Sequence, residues 1–168
     1  MLKDLLSIVK VIGNIRVTVR DLDGNILEQT ILKNTITNLL FNLYRDALAG
    51  DLVHKDDLEI THLAIGNDNG TILPLAATNT ALGNEIFRIA LTDFSKPAIG
   101  QYKTVFYLAP ADAVGWIREL GWFGGTVAGT LIARVFWERN KTNVESVQFE
   151  RLDKISEKVG VQYGIYKA

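Results

Sequence analysis

Short stretches of alternating apolar and polar residues, each closed by a Gly, Asp, Asn or Pro turn, recur along most of this chain and constrain it to a β-rich fold. Ile15, Val17 and Val19 alternate with Arg16, Thr18 and Arg20. Side chains of a strand point to opposite faces with period two, so this spacing predicts a strand with one buried face. Asp23-Gly24 follows. That pair tolerates the positive φ of a type I′ turn and predicts a hairpin, with a return strand from about Asn25 to Leu32. Further along, Leu63 and Ile65 oppose His62 and Ala64, and Ile86 to Asp93 carries Phe87, Ile89 and Leu91 on one face. Gln101 to Leu108 has aromatics on both faces, which predicts burial on two sides or at an interface. Trp116 to Phe123, turned by Gly124-Gly125, reads as another strand. Leu131 to Trp137 follows, with Leu131, Ala133, Val135 and Trp137 on one face, and then Val144 to Leu152. Strands this short and this often interrupted predict an antiparallel β-sandwich or distorted barrel.

One segment changes period. Ile36, Leu39, Leu40, Leu43, Tyr44, Ala47 and Leu48 recur at helical spacing, with Asn38, Asn42, Arg45 and Asp46 mostly opposite. This predicts one amphipathic helix over about Thr35–Ala49, capped by Asn34 or Thr35 and ended by Gly50, with its apolar stripe packed on the sheet. The fold class is therefore mainly β, α+β in detail. A chain of 168 residues with 48% hydrophobic content suffices for one core. A single domain is expected over 1–155. The segment 156–168 is one more strand or an arm, because Val159, Val161, Tyr163 and Ile165 alternate with small and polar residues. As an arm, it would pair with the open sheet edge of another subunit.

Charge and composition narrow the function. Eighteen Lys+Arg against 19 Asp+Glu leave a formal net charge of -1. Neither this balance nor any basic run provides the footprint of a nucleic-acid or membrane-surface binder. The chain has no cysteine, which excludes disulfides, thiolate nucleophiles and Cys-based zinc sites. No apolar run reaches the roughly 18–20 residues of a membrane-spanning helix. The first residues lack the features of a signal peptide, so synthesis and use without Sec export are expected.

Catalytic and metal patterns are absent. His54 and His62 lack the spacing of a zinc site, no serine lies in a G-x-S-x-G elbow, and Asn67-Asp68-Asn69-Gly70 lacks the register of a calcium loop. Gly121, Gly124, Gly125 and Gly129 join two strands rather than opening a helix, so hairpin geometry explains them better than phosphate binding. Glu85, Arg88, Arg118, Glu119 and Arg134 are charges set inside apolar strands. Arg is a poor general acid or base, so ion pairing is the preferred reading, within the chain or across an interface. Trp116, Trp122, Phe123 and Trp137 belong to the core or to an assembly interface. No catalytic, cofactor-binding or metal residue is assigned, and the chain is expected not to be an enzyme. A polysaccharide depolymerase would need a carboxylate pair across a cleft, which the sequence does not position.

Six pieces occur in a distinctive order. Lys33-Asn34-Thr35-Ile36-Thr37-Asn38 leads into a helix ending Arg45-Asp46-Ala47-Leu48-Ala49-Gly50, then Ile60-Thr61-His62-Leu63-Ala64-Ile65-Gly66. Ala77 to Arg88, Trp116-Ile117-Arg118-Glu119-Leu120-Gly121-Trp122-Phe123 and Gly129-Thr130-Leu131-Ile132-Ala133-Arg134 follow. The set resembles a group of tailed-bacteriophage and prophage virion proteins, tail or tail-fibre-like, over about Lys33 to Lys141. Trp122 stands where that group usually has Leu. The resemblance implies a virion structural subunit assembled in the host cytoplasm, without cofactor or catalytic residues. It would be homo-oligomeric and docked to other virion structural proteins, with no direct contact to nucleic acid or membrane. A capsid decoration (cement) protein and a receptor- or glycan-binding module are the alternatives.

Overall fold

The computed structural model describes residues 9–51, 58–71, 73–125 and 129–157. They form two five-stranded antiparallel sheets and one helix, a β-sandwich without barrel closure. The first sheet has the order β2 (Ile26–Lys33), β1 (Val9–Arg20), β10 (Ser146–Glu157), β7 (Gln101–Leu108), β6 (Asp93–Ser95). The second has the order β3 (Thr35–Ile36), β9 (Thr130–Lys141), β8 (Gly115–Gly124), β4 (Ile60–Gly66), β5 (Glu85–Ala90). No helix among the described residues is long and apolar enough to cross a membrane.

Alternation builds the main core. Ile15, Val17 and Val19 from β1 lie beside Val147 and Phe149 from β10 and Phe106 and Leu108 from β7. From the second sheet, Leu63, Ile65, Leu120, Trp122, Val135 and Trp137 face them. Trp137 meets Phe149 edge-on, with centroids 5.5 Å apart, so the two sheets share one interior. The chain crosses between sheets after β5. Leu91 N–H still bonds Thr61 of the second sheet, whereas Thr92 N–H bonds Val105 of the first. The strand expected over Ile86–Asp93 is therefore two, β5 and β6, in different sheets.

Several local expectations are corrected. The β1–β2 hairpin forms, but its turn is not type I′. Gly24 N–H donates to Asp21 O at 3.1 Å and Gly24 alone has positive φ (85°), so a type I turn is followed by a left-handed glycine. Asp21 accepts from Asn25 N–H and Nδ2 at 2.8 and 2.9 Å, and these bonds hold its carboxyl below the usual carboxylate range.

The helix, α1, is Asn38–Ala49 rather than Thr35–Ala49, because Thr35 and Ile36 are taken by pairing with Arg134 and Ala133. Neither Asn34 nor Thr35 caps it. Thr37 occupies the cap position, but its hydroxyl donates to Leu131 O, and Asn38 N–H bonds Ala77 O at 2.7 Å instead. Gly50 ends the helix in the left-handed conformation. The apolar stripe is only partly used: Leu40 is buried, whereas Leu48 is 89% exposed.

A bulge between Trp122 and Phe123 reassigns the face of β9. Leu131 joins a second, smaller cluster with Ala64, Leu82 and Phe123, while Ile132 joins the main core.

The β9–β10 turn is held by charge. Arg139 donates to Glu145 Oε1 at 2.6 Å and to Glu28 Oε2 at 2.5 Å, tying the turn to β2. Burial pushes the Glu145 carboxyl up, but its bonds from Arg139 and from Thr142 N–H outweigh this and hold it below 4.5. A depressed folded pKa contributes stability above the unfolded pKa and loses it as pH falls through the folded value. Glu145→Gln is thus expected to lose less stability than the wild type between about pH 7 and about pH 3, in urea unfolding at each pH. Equal losses would remove Glu145 from the acid response.

Candidate functional site

The five charged residues set inside apolar strands form three pairs, with Asp68 from the connection after β4 as the sixth member. The deepest is Glu119–Arg134, at 2.5 Å with both side chains 0% exposed. Arg134 Nε and Nη2 both donate to Glu119 Oε2, and Nη1 donates to Pro74 O and Asn79 Oδ1 at 3.1 and 3.0 Å. Glu119 Oε1 accepts the Asn84 N–H at 3.0 Å. The pair therefore anchors the whole 67–84 connection, whose base is closed by Asn67 N–H to Asn84 O and Asn84 Nδ2 to Asn67 Oδ1. Gly66 leaves room for it: a Cβ there would lie 2.6 Å from Glu119 Cγ and 2.9 Å from Asn84 O.

Around this node the other pairs are shallower. Arg88 bonds Glu85 twice at 2.6 Å and lies 4.0 Å over the Phe123 ring. Arg118 Nη1 reaches buried Asp68 at 3.1 Å, and its guanidinium lies 5.4 Å from the Trp116 ring centroid. All five charges thus pair within the chain. The Asn67–Gly70 side chains bond neighbouring backbone, Asn67 Oδ1 to Asn69 N–H and Asp68 Oδ1 to Gly70 N–H. Trp122, Phe123 and Trp137 are buried, and Trp116 is 49% exposed. His62 is half-buried, and burial and then the Arg88 charge push its pKa down. His54 and the alternating Val159, Val161, Tyr163 and Ile165 lie outside the described residues. The boundary drawn at 155/156 falls inside β10, which continues to Glu157.

A second arrangement was not singled out by sequence. A cavity of about 500 Å³ opens at one end of the sandwich, under α1 and between β4, β7 and β10. Leu40, Tyr44, Leu58, Ile60, Ile132 and Ile155 give it apolar walls. Its polar side is Arg151–Asp153, a buried pair in which Arg151 Nε and Nη2 both donate to Asp153 Oδ1 at 3.0 and 2.8 Å. Arg151 Nη1 is buried without a hydrogen-bond partner. Burial, and then the Asp153 charge, push the phenols of Tyr44 and Tyr102 above their usual range. The signal was present in the sequence. Val147, Phe149, Arg151, Asp153 and Ile155 share one strand face, and ending the strand at Leu152 separated Asp153 and Ile155 from the row that Arg151 continues.

No family model, curated protein or solved structure matches this chain.

The Glu119–Arg134 node can do little chemistry, since neither side chain reaches solvent and every guanidinium nitrogen is used. Its effect is mechanical: one buried pair couples two strands to the 67–84 connection. Through Ala77 O it also positions the first turn of α1. The cavity differs, combining open volume with a buried ion pair in its lining.

Proposed function

We propose that this chain is a structural subunit of a tailed-bacteriophage virion, tail- or fibre-associated, which acts by assembling with copies of itself and with other virion proteins rather than by catalysis. The observation that carries the reading is where the resemblance-bearing pieces lie. They lie in β3, α1, β4, β5, β8, the first part of β9 and the second part of the 67–84 connection. Gly66, Asn79, Asn84, Glu119 and Arg134 from those pieces meet at one buried node. A pattern devoted to bracing a sheet and its longest described connection fits a scaffold whose surface does the docking.

Surface chemistry supports assembly. The edge strand β2 and its turn expose Leu22, Ile26, Leu27 and Ile31 beside unpaired backbone groups, the arrangement that invites pairing with another chain. A closed point-group oligomer would use such an edge repeatedly.

Light scattering on the purified protein should give a discrete oligomer, and mass spectrometry should find the chain in purified particles. A few copies per particle would place it in the tail, and many would place it on the capsid. A strict monomer absent from particles would refute the virion reading.

A further inference from the structure

Unsatisfied polar atoms in the described interior are concentrated in one place. Arg151 Nη1, Trp122 Nε1, Thr104 Oγ1 and both amide atoms of Asn34 are buried without a hydrogen-bond partner. These five atoms belong to residues adjoining the Arg151–Asp153 pair, whereas a sixth among the described residues, Arg118 Nε, belongs to the Arg118–Asp68 pair. Thr104 is the cross-strand partner of Arg151, and the Trp122 ring centroid is 5.5 Å from its guanidinium carbon. A Cβ on Gly13 would lie 2.6 Å from both Asn34 amide atoms and 2.8 Å from Asp153 Oδ1. Buried polar groups are nearly always paired, so such a cluster needs partners that the chain does not supply. Water can serve the deeper atoms. Arg151 and Asp153, however, line the cavity itself.

We propose that this cavity is a binding site for an uncharged amphiphile, an apolar chain or ring carrying one hydroxyl or primary amide. The volume of about 500 Å³ and the mostly apolar walls suit a small organic molecule. The head meets the Arg151–Asp153 pair on the polar side of the cavity. It donates to Asp153, whose Oδ1 takes both bonds from Arg151 and leaves Oδ2 without either. Hydroxyls and primary amides supply such a donor without a charge. A charged head is disfavoured, because the guanidinium is already neutralised by Asp153 and the lining carries one further Lys, Lys96, against one further carboxylate, Glu59. The raised phenols of Tyr44 and Tyr102 report the same resistance to further negative charge. This inference does not rest on the virion reading.

The test uses four probes of equal chain length, octanamide, 1-octanol, octanoate and octylamine, titrated calorimetrically into the whole protein with tryptophan fluorescence in parallel. Octanamide and octanol are expected to bind about tenfold or more tighter than the two charged probes. Ala98→Trp places bulk at an exposed lining position and should weaken octanamide by about tenfold or more without unfolding the chain. Arg151→Met with Asp153→Leu exchanges the pair for apolar side chains, a change that cores often tolerate, and should weaken octanamide and octanol by about tenfold by removing the polar side of the cavity, with charged heads still disfavoured. Charged probes binding as well as neutral ones, no saturable binding of any probe, or an Ala98→Trp variant of unchanged affinity would each overturn the proposal.

Discussion

Glu119→Gln is expected to lower the free energy of unfolding by about 3–5 kcal/mol, among the largest effects available to a single polar substitution in this chain. The substitution is nearly isosteric, so packing is preserved and the loss is electrostatic. Arg134 keeps its buried guanidinium, held by Pro74 O and Asn79 Oδ1, but loses the Glu119 carboxylate that bonds it. Breaking a buried pair on one side leaves an uncompensated charge, which costs far more than the intact pair contributes. Arg134→Met should cost a similar amount by stranding the Glu119 carboxylate. The double variant Glu119→Leu with Arg134→Met should cost clearly less than the two single losses added. It still leaves Asn84 N–H and Pro74 O without these partners, at about 1–3 kcal/mol each if they stay buried. Urea unfolding of the four proteins gives the coupling. Strict additivity would mean that the two side chains do not act as a pair. Hydrogen exchange at the Asn84 amide should accelerate in both single variants, since the node closes the base of the 67–84 connection.

Trp122→Ala should cost about 3–5 kcal/mol, while Trp116→Ala should stay within about 0.5 kcal/mol in the isolated chain. Both tryptophans lie on β8, six residues apart, and only their surroundings differ. Trp122 is fully buried in the main core, so its removal loses apolar burial and leaves a cavity that neighbouring strands cannot close. Trp116 is 49% exposed and packs near the Arg118 guanidinium, an arrangement worth little at an exposed site. Chemical denaturation separates the two. Equal losses would contradict the burial difference. If Trp116 belongs to a docking surface, Trp116→Ala should instead weaken oligomerisation at unchanged monomer stability.

The charged residues show how far sequence reading reached. Glu85, Arg88, Arg118, Glu119 and Arg134 stand out in sequence because each interrupts an apolar strand. Nothing in their spacing says that Glu119 meets Arg134, Glu85 meets Arg88 and Arg118 meets Asp68. Those partners depend on the β8–β9 register and on the return path of the 67–84 connection. The cavity has no such local signature. Its lining comes from α1, β1, β4, β7, β9 and β10, and no local pattern announces six elements meeting at one end of a sandwich.

The longer strands, the first hairpin, the helix end at Gly50 and the buried face of β1 were readable along the chain. Each depends on side-chain alternation or a local backbone preference, and both act over a few residues. The tertiary structure alone decided that Thr35–Ile36 would pair with β9 instead of opening the helix. It also decided that Asp93–Ser95 would leave for the other sheet, and that a bulge would send Leu131 and Ile132 to different clusters. Backbone hydrogen bonds between distant strands form with any side chain, so register and sheet membership are settled by how the two packed faces fit together, which is a property of the assembled core.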